Sequence, residues 1–334
     1  ALASDKVLDL GMRATNRTNW FVTNVASGAL KELLFYSVLS KVSIHMAPSR
    51  ILESIEKLSV SAVSIGLDLP ALTSLFPIMP EYSIEKVAWA ALEIKNESHP
   101  QIETSWREEY AKDVVSKLME ILEKIGLKAA ESESWMLMRY VVYAIEGITI
   151  LLMREKFVTL KEGFDEELEV TINALQNMYL SSGEKAPPLA WSTVGALTTI
   201  AFHGLDARKD KVVIRSVSAL LNMSIDTIKR DIYGYKPARL ASRIAVIGSY
   251  ALYLANNVLA KECADRLVEF DSIYLKESPK PHDRLHIKEM QETYRQLDVE
   301  DHYFSESYGS LSEKISQTAL DKFRELYETI RRNG

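Results

Sequence analysis

The chain has 334 residues, and its 13 glycines and 10 prolines supply about 7% of it against about 12% on average, which excludes collagen-like, low-complexity and loop-dominated all-β designs. With 47% hydrophobic and 26% charged residues it is neither a disordered tail nor a polytopic membrane protein. A formal charge of -6 argues against wholesale wrapping by nucleic acid, which needs a dense cationic face.

Apolar residues recur at i, i+3, i+4 and i+7 almost throughout, so an all-α fold is expected, either an irregular helical bundle or an α-solenoid of antiparallel helix pairs. The pattern predicts helices over 3–15, 19–43, 48–66 and 83–96, with Pro48, Pro70 and Pro100 at starts or between elements, where a missing N–H costs least. Within the first two, the run Asp9, Arg13, Ala14, Asn19, Thr23, Ala26, Leu30 and Leu33 resembles the opening of the soluble helical part of a family of uncharacterised predicted membrane proteins of bacteria and archaea. That resemblance implies membrane association and brings no activity with it.

Further helices are expected over 103–126 and 134–155. The stretch Trp135 to Met153 is apolar enough to suggest a membrane span, but Arg139 and Glu146 interrupt it on one helical face. A buried core helix with both charges satisfied inside the protein is therefore the expectation. The helix over 163–181 opens with Asp165, Glu166 and Glu167, a placement that suits the positive end of the helix dipole. Pro187 and Pro188 precede a helix over 188–204, in which His203 offsets the C-terminal dipole, and helices over 210–222, 237–257, 260–275, 283–297 and 310–332 complete the chain.

Three predicted helices end alike, at Ile65-Gly66-Leu67, Ile125-Gly126-Leu127 and His203-Gly204-Leu205. Each glycine is expected to take the left-handed cap conformation of a tight helix-to-helix corner. Small residues beside a tyrosine in Ile247-Gly248-Ser249-Tyr250-Ala251, followed by Ala260, Ala264 and Phe270, resemble the tetratricopeptide and HEAT-like repeat pattern. The resemblance implies interlocking helix pairs and a protein-binding role. The organisation expected is an N-terminal helical region, 1–182, and a repeat-like region, 183–334.

Between Asp206 and Arg243 nine cations stand against four anions. Arg208, Lys211, Arg230, Arg239 and Arg243, with Tyr233 and Tyr235 in a glycine-containing turn, form a candidate site for an anionic partner, either an acidic protein segment or an acidic membrane surface. Nucleic acid would want more aromatics along a continuous groove. His282, His286 and Glu289 fall at i, i+4 and i+7, so one helical face could present two imidazoles and a carboxylate to a divalent metal. Phosphate-loop, zincin, nucleophile-elbow and di-iron signatures are all missing.

These features favour a non-enzymatic helical interaction or scaffold module over an enzyme. It would need no cofactor and could form a homo-oligomer. The alternatives are a metal-dependent hydrolase using the histidine pair, and a ligand-binding sensor with a pocket among the helices at 134–155, 188–204 and 237–257. The single cysteine, Cys263, cannot form an intrachain disulfide and suits a reducing compartment, so the expected place is the cytoplasm or the inner face of a membrane.

Overall fold

Helical periodicity with few breakers gives twelve α-helices and no strand among the residues described in the computed structural model: 2–39, 47–75, 88, 104–153, 165–182, 187–230, 237–277 and 317–333. In chain order they are α1 (Leu2–Asn16), α2 (Trp20–Leu39), α3 (Ala47–Ser64), α4 (Asp68–Leu75), α5 (Thr104–Glu131) and α6 (Trp135–Met153). The remaining six are α7 (Asp165–Ser182), α8 (Pro187–Asp206), α9 (Asp210–Arg230), α10 (Pro237–Tyr253), α11 (Asn257–Glu277) and α12 (Gln317–Asn333). The fold is all-α and solenoid-like, built of neighbouring antiparallel helix pairs. Cα packing divides it into two units, Ala1–Thr193 and Val194–Gly334.

Five helix pairs turn through one local structure. At Thr18, Gly66, Glu133, Arg208 and Ala255 the backbone is left-handed, with φ of 52°, 77°, 57°, 56° and 59°. The next residue's N–H donates to the carbonyl five positions back: Asn19 to Ala14 (2.9 Å), Leu67 to Ala62 (2.9 Å), Ser134 to Ala129 (2.8 Å), Lys209 to Gly204 (2.8 Å) and Asn256 to Ala251 (2.8 Å). These are Schellman caps, and every acceptor is alanine or glycine. At one corner the reason is explicit, because a Cβ on Gly204 would stand 3.0 Å from Val213 Cγ2 on the returning helix. Asn19 and Asn256 then cap the next helix in turn, each side-chain oxygen accepting an N–H three residues on at 3.2 Å.

The corner expectation is thus met at Gly66 and overturned at Gly126 and Gly204, whose φ values are not positive. Gly126 lies inside α5, where a Cβ would press on Met178 and Val141, and Gly204 lies inside α8 against Val213. Both glycines allow close helix packing, and the left-handed residues are Glu133 and Arg208 farther on.

In the first unit α1, α3 and α5 run in the same direction. Arg50 pairs with Asp5 at 3.0 Å and Gly11 lies against Leu58, while Ser49 donates to Asp113 at 3.0 Å and Lys124 to Glu56 at 2.9 Å. Residue numbers rise together in both sets, so the three following corners share one edge. Their return helices α2, α4 and α6 form the second layer, with α4 packed against both others. Thr73 on α4 donates to Asn24 on α2 at 2.5 Å. Between the layers lie Leu30, Leu34, Leu52, Ile55, Leu122 and Ile145, all fully buried.

α6 is the one helix among the described residues long and apolar enough to cross a membrane, and 56% of its apolar window is buried within the protein. Arg139, expected to be buried, is exposed: its Nε donates to Tyr143 Oη at 2.5 Å and its guanidinium lies 5.4 Å from that ring's centre. Glu146 is half-buried.

In the second unit α10 packs on α9, α11 and α12. The C-terminal helix seats Phe323 against Gly248, and Tyr327 Oη donates to the buried Asp271 carboxylate, which Arg331 approaches at 3.7 Å.

Candidate functional site

Two corners of the second unit adjoin, that of α8 with α9 and that of α10 with α11. They enclose a recess of about 590 Å³ lined by Asp206, Arg208, Asp210, Leu254, Asn256 and Val258, among others. Two polar contacts tie them together: Tyr250 Oη donates to Asp206 Oδ1 at 2.6 Å and Asn256 Nδ2 to Asp210 Oδ1 at 3.4 Å. Tyr250 meets Phe202 edge-on at 5.3 Å and stacks on Tyr253 at 5.9 Å. Burial and the Asp206 carboxylate push the Tyr250 phenol far above its ordinary value, so it remains a fixed donor.

Each contact uses one oxygen of its carboxylate. Arg208 and Lys211 are exposed, and among the described residues neither is paired with a carboxylate. Arg208 shares the recess with two exposed apolar groups, Val258 at 78% exposure and Leu254 at 38%. The recess thus sets the Arg208 cation beside exposed aliphatic side chains.

The basic residues singled out from the sequence do not share one face. Arg208 and Lys211 stand at the start of α9, whereas Arg230 is its last residue, roughly 28 Å away at 1.5 Å per residue. Arg230 pairs with Asp226 at 2.8 Å. Arg243 is 1% exposed, one of the largest fully buried side chains, so the expectation of accessibility fails for it: α10 is buried all round from Leu240 to Tyr250. Tyr233 and Tyr235 lie outside the described residues, as does the side chain of Arg239. His282, His286 and Glu289 also lie outside them, and among the described residues no group of three His, Cys, Asp or Glu side chains could hold a metal ion.

What sequence reasoning missed is the second corner. Asn256, Val258 and Leu254 were legible only through the Ala251-to-Asn256 spacing, which matches Ala14-to-Asn19, but neither segment contains a glycine to announce it.

A second recess, of about 580 Å³, opens in the first unit between α1, α3 and α5. Leu8, Met12, Val60 and Leu127 give it an apolar lining. On its polar rim Lys124 donates to Glu56 at 2.9 Å and to Glu120 at 2.7 Å, and Lys128 to Glu131 at 2.9 Å. Hydrogen bonds from Lys124 and Lys117 hold the Glu120 carboxyl below its ordinary value, and those to Glu120 and Glu56 raise Lys124.

No protein-family model and no curated protein matches the sequence. Among solved structures the chain is similar to one described as "Circular tandem repeat protein with novel repeat topology and enhanced subunit contact surfaces", with a TM-score of 0.43 and 14% identity over 98% of this chain and 75% of that chain.

Proposed function

We propose that the chain is a non-enzymatic helical interaction module. The unit Val194–Gly334 docks an acidic segment of a protein partner, anchored by an aliphatic side chain, on its paired corners. One observation carries this: Arg208 stands exposed in one recess with Val258 and Leu254, with the exposed Lys211 next to Asp210 in the chain, and Asp206 and Asp210 each accept a hydrogen bond, from Tyr250 and Asn256. An acidic residue of the partner would meet the cations, and a leucine or isoleucine would cover the apolar group, which is how short segments gain both orientation and affinity.

The test uses fluorescein-labelled peptides rich in aspartate and glutamate around one leucine. Binding by anisotropy should weaken with salt, as exposed charges are screened over about 8 Å at physiological ionic strength. Replacing the leucine by serine should weaken it about tenfold, since burying such a side chain is worth 1.5–3 kcal/mol. Acidic liposomes run in parallel distinguish a membrane surface from a peptide: sedimentation with the liposomes and indifference to the peptides would overturn the proposal.

A further inference from the structure

The recess of the first unit has the size of a small-molecule site, about 580 Å³ against roughly 300–1,000 Å³ for such sites in general. Because α3 packs against both α1 and α5, the recess is a groove with α3 as its floor and the other two helices as its walls. Leu8 and Met12 stand one turn apart on one wall, Leu127 on the other and Val60 on the floor, all half-buried. The α5 wall runs from Lys124 to Glu131, about 10 Å at 1.5 Å per residue. That length suits a short alkyl chain laid along the helices.

The polar groups of the groove are not all matched. Glu56 and Glu131 each accept a hydrogen bond from a lysine, Lys124 and Lys128. Glu120, which also accepts from Lys124, is met by Lys117 at 2.9 Å. Lys57 is different: it is exposed and, among the described residues, paired with no carboxylate. Ser61, one turn farther along α3 in the same lining, likewise has no hydrogen-bond partner among them. An ammonium and a hydroxyl at i and i+4 present neighbouring donors, a pair that the two oxygens of one carboxylate can accept. The lining as a whole carries three lysines against two glutamates, an excess of one positive charge. We propose that the groove binds a free straight-chain carboxylate of medium length, its head on Lys57 and Ser61 and its chain against Leu8, Met12, Val60 and Leu127. A cationic head would face the Lys57 ammonium, and a neutral one would leave it unbalanced.

Isothermal titration of the full chain with sodium octanoate, kept below its micelle range, should show one saturable site per chain. Hexanoate should bind about tenfold more weakly, since each buried methylene is worth a gain of about three- to fourfold. Octylammonium should also bind about tenfold more weakly than octanoate, because its head meets a like charge. Lys57→Gln should weaken octanoate about fivefold, the scale of an exposed ion pair, and leave octylammonium no weaker. Val60→Asp, which sets a charge against the chain, should weaken both ligands about tenfold, with Val60→Ser as the milder variant and circular dichroism of each to show that it is folded. Octanoate that fails to bind or binds without saturation, that octylammonium matches, or that binds Lys57→Gln or the folded Val60 variants as tightly as the parent overturns the proposal. Sedimentation with phosphatidylglycerol vesicles by a chain that ignores octanoate overturns it too, because the same anionic and alkyl chemistry would then be met on a membrane.

Discussion

Backbone conformation at single residues decides where this chain turns. Gly66 is the one glycine with positive φ among the described residues, so Gly66→Ala should cost about 1 kcal/mol, even though open space surrounds its missing Cβ. Ala255 holds the same conformation with a side chain. Ala255→Gly should therefore stabilise the protein by up to about 1 kcal/mol, the relief of left-handed strain being partly offset by the greater entropy of the unfolded chain. Thermal unfolding of the two variants gives opposite signs if the corners are built alike. Gly248 serves another purpose: a Cβ there would overlap the Phe323 ring and come within 2.9 Å of Cys263 Cβ. Gly248→Ala should lose about 1–2 kcal/mol by overpacking despite alanine's better helix propensity.

Lys31, on α2, is 8% exposed, and burial lowers its pKa below the ordinary 10.5 although Glu32 pulls the other way. The unfolded chain therefore binds more protons between the folded value and 10.5, and stability rises with pH across that window. Below it the burial penalty acts in full. Lys31→Met should raise the melting temperature at neutral pH, with the gain shrinking as pH approaches 10.5, as a pH series of melting curves would reveal.

At the scale of elements, the helices were legible because their apolar faces repeat regularly. The core placement of α6 follows from Arg139 and Glu146 breaking an otherwise lipid-like stretch, though Arg139 solves its solvation by standing on Tyr143 at the surface instead of inside. The corners were less legible. Four of the five left-handed positions are threonine, glutamate, arginine and alanine, so a search for glycine finds only Gly66 and mistakes the packing glycines Gly126 and Gly204 for caps. A basic run such as Arg208 to Arg243 is also ambiguous until helix directions are known, because one helix separates its members by its own length and the next buries Arg243. The C-terminal helix α12 is held by a polar anchor, Tyr327 donating to Asp271 beside Arg331, in addition to Phe323. Tyr327→Phe would leave that carboxylate short of a donor in a buried position and should cost about 1.5–3 kcal/mol, with faster amide exchange confined to α12 and the facing turns of α11.

At the scale of the molecule, each unit has helix corners of its own, and the side chains just after each corner differ between the units. In the first unit these residues, Phe21, Leu69 and Met136, are apolar; in the second, Lys211 and Val258 take the same positions. One local structure thus supplies two chemically different edges, which is how a repeat architecture diversifies its contacts without altering its core. The double reversal Arg208→Glu and Lys211→Glu tests the proposed docking role most directly, by anisotropy of an acidic, leucine-containing peptide across a salt series, with a melting curve as control. The expected result is salt-sensitive binding by the parent, a loss of about tenfold or more in the variant, and a melting temperature nearly unchanged, since both side chains are exposed. Equal binding by parent and variant, or no binding by the parent at low salt, would contradict it.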